Sequence, residues 1–88
     1  FKTFDEVIER ANNNDLGLCS YIYTNSMEQA HRASELMETG CVAVNTAAVA
    51  VAEAPFGGIK QTGYGREGGS MAIKDYLNIK YTHLGLKN

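Results

Sequence analysis

Residues 55–67 read Pro55-Phe56-Gly57-Gly58-Ile59-Lys60-Gln61-Thr62-Gly63-Tyr64-Gly65-Arg66-Glu67, and this run constrains the chain more than any other stretch. Glycines at 57, 58, 63 and 65 demand a backbone that turns often and uses positive φ. Pro55 opens the run, Phe56 gives it an apolar anchor, and Lys60, Arg66 and Glu67 give it charge. A flexible linker is richer in serine and poorer in aromatics. The run is therefore predicted to be a built loop and not a tether.

The residues before it alternate between helix and strand signals. Thr3-Phe4-Asp5-Glu6 is a capping box, and Phe4, Val7, Ile8 and Ala11 follow at helical spacing. Asn12 to Asn14 and Gly17 are stop signals. Residues 18–24 are rich in β-branched and aromatic side chains and predict a strand. Ser26-Met27-Glu28-Gln29 is a second capping box, with Met27, Ala30, Ala33 and Met37 as the apolar stripe and Gly40 just past the helix. Residues 41–45 form an apolar run suited to a strand buried on both faces. Strand, helix and strand on short connections predict a βαβ unit with parallel strands and a right-handed crossover. Residues 46–68 are predicted irregular, and a loop of that length in a compact domain is usually functional. Ser70 is placed to cap a short helix reaching Leu77. Residues 78–84, bounded by Asn78 and Leu84, alternate like a strand.

A chain of 88 residues is one domain at most, and it buries only about 60–65% of its unfolded surface, so the core is thin. A net charge of −2 gives no footprint for nucleic acid or an acidic membrane. No apolar run reaches the length of a membrane span. Cys19 and Cys41 are too few for a disulfide framework and are read as buried, reduced thiols. A cytoplasmic location is the default.

The 55–67 run resembles the signature near the C-terminus of the aldehyde dehydrogenase superfamily. That signature is proline, an aromatic, two glycines, any residue, lysine, a small hydroxyl residue and then Gly-x-Gly-Arg-Glu. Ala11-Asn12 with Leu16-Gly17-Leu18, the strand Cys41-Val42-Ala43-Val44-Asn45-Thr46, and Asp75-Tyr76-Leu77-Asn78-Ile79-Lys80-Tyr81 resemble the same family, the last most like succinate-semialdehyde members. The resemblance implies an α/β fold: a βαβ piece of the catalytic domain over 1–77, carrying a substrate-tunnel loop at 46–68, with an oligomerisation strand and tail at 78–88. It implies oxidation of an aldehyde, a small acidic semialdehyde among them, to the carboxylic acid with NAD or NADP. It places the nucleophilic cysteine, the general base, the oxyanion asparagine and the dinucleotide domain upstream. The chain starts at Phe1 with no methionine, so it is read as the C-terminal piece of a longer enzyme, inactive alone. The partners implied are the rest of that chain, a small aldehyde, and further copies in a dimer or tetramer joined through 78–84.

Residue by residue, the resemblance assigns substrate contact to Ala48, Val49, Ala50 and Phe56. Loop geometry falls to Pro55, Gly57, Gly58, Gly63, Gly65, Arg66 and Glu67. Phe56 is either a core anchor or a wall of the aldehyde tunnel, and both are compatible with its type. Ala50 stands where acidic-semialdehyde members carry a serine. Alanine cannot donate a hydrogen bond, which counts against succinate semialdehyde itself. The backbone N–H groups of 48–51 remain as donors to a carboxylate. Arg66 with Glu67 is the expected structural ion pair, because arginine sets geometry. Lys60 is expected to be solvated.

Gly63 to Gly68 satisfies G-x-G-x-x-G, but neither a preceding strand nor a βαβ context surrounds it, so it is not read as cofactor-binding. His31 and His83 have no partners at ligand spacing, so no metal is expected. Cys19 and Cys41 lack an identifiable base and are not read as nucleophiles. The competing classes are a non-enzymatic module that adds its terminal strand to another sheet and, more remotely, a small thiol enzyme.

Overall fold

A computed structural model describes residues 1–87; Asn88, the end of the expected tail, lies outside the described residues. Helix α1, Phe4–Asn12, starts where Thr3 Oγ1 accepts from the Glu6 N–H at 3.2 Å. The reciprocal arm of the capping box is displaced by one residue: the Glu6 carboxylate accepts from the Lys2 N–H at 2.8 Å. Helix α2, Met27–Leu36, starts the same way, with Ser26 Oγ accepting from the Gln29 N–H at 3.2 Å. Its end differs from expectation. Met37 is the C-cap, in extended conformation. Gly40 lies beyond, at the mouth of the next strand, where a Cβ would collide with the backbone of Gly57. This glycine answers to a close approach of two backbones and not to a helix stop.

The expected strand at 18–24 forms over a shorter span, and a strand the sequence did not predict lies just before it, over the Gly17 read as a helix stop. Strand β1, Leu16–Gly17, and strand β2, Cys19–Ile22, meet at Leu18 because each takes a different partner. Strand β2 runs parallel to β3, Cys41–Val44, in the register Cys19↔Cys41 to Ile22↔Val44. The α2 crossover between them makes the expected βαβ unit. Strand β1 pairs antiparallel with β4, Ile59–Lys60, inside the stretch expected to be irregular. That stretch is also drawn shut by a bridge between Phe56 and Glu67.

Asn45 ends β3 at a left-handed φ of 56°. Its N–H donates to the Ile22 carbonyl at 2.8 Å. Its side chain then imitates a further peptide: Oδ1 accepts from the Thr24 N–H and Nδ2 donates to the Thr24 carbonyl, both at 3.0 Å. The strand thus closes on one side chain.

The helices cover this sheet thinly. Ala30 and Ala33 of α2 and Ala43 of β3 are buried, with Ser20 as the buried polar residue, its Oγ 2.8 Å from Thr39 Oγ1. Met27, expected in the apolar stripe, is exposed, as is Tyr21 of β2. The strand at 41–45, expected to be covered on both faces, has only Ala43 fully buried, because β2 is its one neighbour among the described residues. Arg32 lies over the Phe4 ring at 4.5 Å and ties α2 to α1.

The C-terminal expectations are corrected in two places. A 3-10 helix, Ala72–Tyr76, replaces the helix capped by Ser70, and Met71 begins it without a side-chain cap. Gly68 and Gly69, at φ 68° and 67°, bend the chain just before it. Residues 78–84 form no ladder, because no strand among the described residues lies beside them. Ile79 and Tyr81 are exposed. Among the described residues no helix is long and apolar enough to cross a membrane.

Asn45→Ala removes both side-chain bonds and leaves a residue with a Cβ at positive φ. It is expected to destabilise the full-length protein by about 2–3 kcal/mol. Asn45→Gly keeps the backbone freedom and is expected to lose less. Denaturant midpoints of the two variants check this; equal midpoints to wild type would remove Asn45 as the strand's closing group.

Candidate functional site

The loop from Pro55 to Glu67 is held at three points. Its neck is a pair of backbone bonds, with Phe56 N–H to the Glu67 carbonyl and Glu67 N–H to the Phe56 carbonyl, both 2.7 Å. Inside the neck, Arg66 Nη1 donates to the carbonyls of Gly58 and Gly65 at 2.8 Å each. The Arg66 N–H donates to Asp75 Oδ2 at 2.7 Å, which fastens the loop to the 3-10 helix. The expected Arg66–Glu67 ion pair is not formed. Glycine-rich backbone exposes carbonyls that no side chain shields, and the guanidinium fork satisfies two of them at once.

The third point is Lys60. It is not solvated, contrary to expectation: its side chain is 25% exposed, and Nζ reaches Glu38 Oε2 at 2.6 Å. The same nitrogen donates to the carbonyls of Asn12 at 3.0 Å and Asn14 at 3.1 Å. Nothing in the sequence signalled these partners, which lie 22 to 48 positions away. The surrounding strand is also fixed: Gln61 N–H donates to the Asp15 carbonyl at 2.9 Å, and Gly17 N–H donates to Thr62 Oγ1 at 2.8 Å.

At the tip, Gly63 and Gly65 take φ of 109° and 93°, a region closed to most side chains, and Tyr64 between them is fully exposed. Gly57 and Gly58 serve proximity instead. A Cβ on Gly58 would strike the Thr62 side chain, and one on Gly57 the Gly65 carbonyl. Pro55 and Glu67 are exposed, while Gly58 is buried.

Phe56 is half-buried and stands between two hollows of about 330 Å³ each. One is lined by the glycine loop and Tyr76, the other by Ala50, Val51, Ala52, Glu67 and Gly68. The structure thus brings Ala50 and Phe56 together on one hollow. Ala48 and Val49 do not line it. The Ala48 N–H is taken by Thr46 Oγ1 at 3.1 Å, which removes one of the four backbone donors expected for a carboxylate.

The register of β2 and β3 sets Cys19 directly beside Cys41, a pairing that spacing alone did not reveal. Both thiols are free and half-buried, less covered than expected. Burial pushes the Cys19 thiol up from its ordinary value, and the neighbouring Cys41 pushes it further. Cys41 Sγ donates to the Gly57 carbonyl at 3.6 Å, so β3 touches the loop directly.

Residues 1–82 match the aldehyde dehydrogenase family. The chain belongs to that family. It is 53% identical over 85 residues to a 3-sulfolactaldehyde dehydrogenase of Pseudomonas putida, covering 97% of this chain and 18% of that protein. It is 44% identical over 86 residues to the NADP(+) succinate-semialdehyde dehydrogenase GabD of Escherichia coli, covering 98% and 18%. Its backbone superposes on an NAD+ complex of an aldehyde dehydrogenase from Bacillus cereus with a TM-score of 0.91 at 39% identity, covering 99% of this chain and 18% of that one. The aldehyde dehydrogenase chain described here thus spans about a fifth of the length of these relatives.

A thiol whose protonated form is favoured by folding contributes stability that is whole below the ordinary thiol range and is lost as the pH rises through the raised value. Cys19 in the native protein is therefore expected to alkylate more slowly at pH 8 than after denaturation, because less thiolate is present. Peptide mapping after timed iodoacetamide treatment checks this. Equal rates in the two states would remove the shift.

Proposed function

We propose that this chain forms one wall of the substrate tunnel in an enzyme that oxidises an aldehyde to the carboxylic acid, with NAD or NADP as hydride acceptor. Family membership across residues 1–82 supports the reaction class. The observation that carries the role is the closed neck of the loop, where Phe56 is bonded both ways to Glu67 and shares a hollow with Ala50. An aromatic ring fixed at both its backbone groups makes a stiff apolar surface. Such a surface excludes water from a reacting carbonyl and orients an alkyl chain. Ala50 shares this wall in the proposed reading, and Ala48 and Val49, which do not line the hollow, meet the substrate beyond it. Pro55, Gly57, Gly58, Gly63, Gly65, Arg66 and Glu67 keep its shape.

The relatives' names include 3-sulfolactaldehyde and succinate semialdehyde. This supports a small acidic aldehyde as substrate. Ala50 offers no hydroxyl to the acidic group, so the N–H groups of 49–51 take that part in this reading. In this reading the described glycines do not hold the pyrophosphate of the dinucleotide. Gly63, Gly65 and Gly68 lie between an antiparallel two-residue strand and a 3-10 helix, not between a parallel strand and a helix N-terminus. None of these residues is assigned to hold it. Free, neighbouring thiols suit a reducing compartment, the cytoplasm in this reading.

Residues 78–84 complete the proposal as the assembly strand of a dimer or tetramer. Their backbone groups have no ladder partner among the described residues, and Ile79 and Tyr81 are exposed. Unpaired strand groups favour a partner strand.

Phe56→Ala in the full-length enzyme is expected to lower kcat/KM for apolar aldehydes. The measurement pairs steady-state kinetics with thermal unfolding. A stability loss of about 3–5 kcal/mol, usual for a core Phe→Ala change, with kcat/KM unchanged, would make Phe56 a core anchor only. Ile79→Pro deletes one ladder N–H and is expected to reduce the oligomeric mass in solution. Retention of the wild-type mass by light scattering would locate assembly elsewhere.

A further inference from the structure

The sequence gives Lys60 no visible partner, yet the fold supplies three acceptors. Asn12 and Asn14 lend carbonyls at the end of α1, and Glu38 lends its carboxylate two residues past α2. The end of a helix is where backbone carbonyls lack intrahelical donors and carry partial negative charge. An ammonium group with three donors fits that concentration of acceptors. The same corner is braced by Asn12, whose Nδ2 donates to the Leu36 carbonyl at 2.8 Å and whose Oδ1 accepts from the Glu38 N–H at 2.9 Å. One ammonium therefore sits where the ends of α1 and α2 are already clasped together.

Lys60 itself has a backbone φ of 57°, in the left-handed region, with a Cβ to accommodate. Such a conformation persists only when its surroundings over-determine it. The strand around it pairs through two residues only, too short to hold a strained backbone by ladder bonds. The bend at Lys60 opens the turn in which the Gly63 N–H returns to the Lys60 carbonyl at 3.3 Å. Two residues before it, the Gly58 carbonyl receives Arg66, and the Phe56–Glu67 neck follows directly.

We propose that Lys60 is a positioning residue: its ammonium, seated on the joined helix ends, sets the strained turn that fixes the Phe56 wall. It acts through the loop and touches no substrate. The effect on aldehydes rests on the proposed function above; the effect on the loop does not.

The test uses the full-length enzyme with Lys60→Met, Lys60→Arg and Glu38→Gln. Hydrogen exchange read by mass spectrometry is expected to show amides of 56–67 opening about tenfold faster or more in Lys60→Met, since each bond to a charged group is worth at least about that factor. Helix α2 is expected to stay protected. Lys60→Arg, which keeps the charge but not the compact three-way fit, is expected to fall between. Glu38→Gln removes the charge of one half-exposed acceptor and gives a smaller rise without threatening the fold. In kinetics, KM for the aldehyde is expected to rise with kcat little changed, and Lys60→Arg to recover part of it. Unchanged exchange in 56–67 for both Lys60→Met and Glu38→Gln overturns the proposal. So does exchange that rises equally throughout the chain, which marks general loosening. Faster loop exchange with an unaltered KM overturns the link to the wall and leaves the oxidation reading standing. A wild-type enzyme that oxidises no aldehyde overturns that reading, while the exchange result still decides the role of Lys60.

Discussion

The parallel register between Cys19–Ile22 and Cys41–Val44 is the constraint on which the other contacts hang. Two four-residue strands are too short to be stable by themselves, so their alignment is reinforced at both ends. Asn45 lengthens one end with a side chain shaped like a peptide group. At the other end Gly40 N–H and Cys41 N–H donate to the carbonyls of Gly17 and Leu18, both at 3.0 Å. That second reinforcement brings Gly40 against Gly57, and so the loop backbone rests on the mouth of the sheet. A slip of one residue would turn Ala43 outward, since strand faces alternate. It would also put a residue with a Cβ where the loop must touch. The register of the core pair and the place of the loop are therefore one constraint.

The parts legible in the sequence were those whose chemistry is local. Thr3 and Ser26 cap their helices through partners three residues away, and the apolar run at 41–44 predicts its strand. The glycines of the signature announced positive φ, and Gly63 and Gly65 adopt it. The misreadings came from tertiary partners. Leu16–Gly17 was not legible as a strand because its partner, Ile59–Lys60, lies far off in sequence and belongs to a different sheet from that of Cys19–Ile22. Gly40 looked like a helix stop because a backbone approaching from position 57 leaves no local mark. Lys60 looked solvated because its acceptors are carbonyls, which every residue has and no sequence distinguishes. Residues 78–84 have the alternation of a strand, but alternation specifies a face, not a partner.

The distribution of apolar surface follows from the same geometry. Among the described residues the buried hydrophobics are Ala30, Ala33 and Ala43, while Leu16, Tyr21, Ile79, Tyr81 and Leu86 are exposed. Isolated exposed apolar residues are ordinary, but groups of them on strand faces mark contact surfaces. A parallel pair is normally covered on both faces. The β2–β3 pair here leaves Tyr21 open to solvent. That pattern accords with a chain spanning about 18% of the length of its relatives.

The charges of the loop have a shared logic. A glycine-rich turn leaves carbonyls bare, and carbonyls withdrawn from water are costly unless they are satisfied. Arg66 covers those of Gly58 and Gly65, and Lys60 covers those at the end of α1. Each cation is thereby held on the backbone frame. Asp75 takes the Arg66 N–H, so the carboxylate too is spent on structure. The sequence Phe-Gly-Gly-x-Lys followed by Gly-Arg-Glu thus solves two problems at once. Glycine supplies the shape of the turn, Arg66 satisfies the carbonyls that glycine exposes, and Lys60 ties the turn to the end of α1.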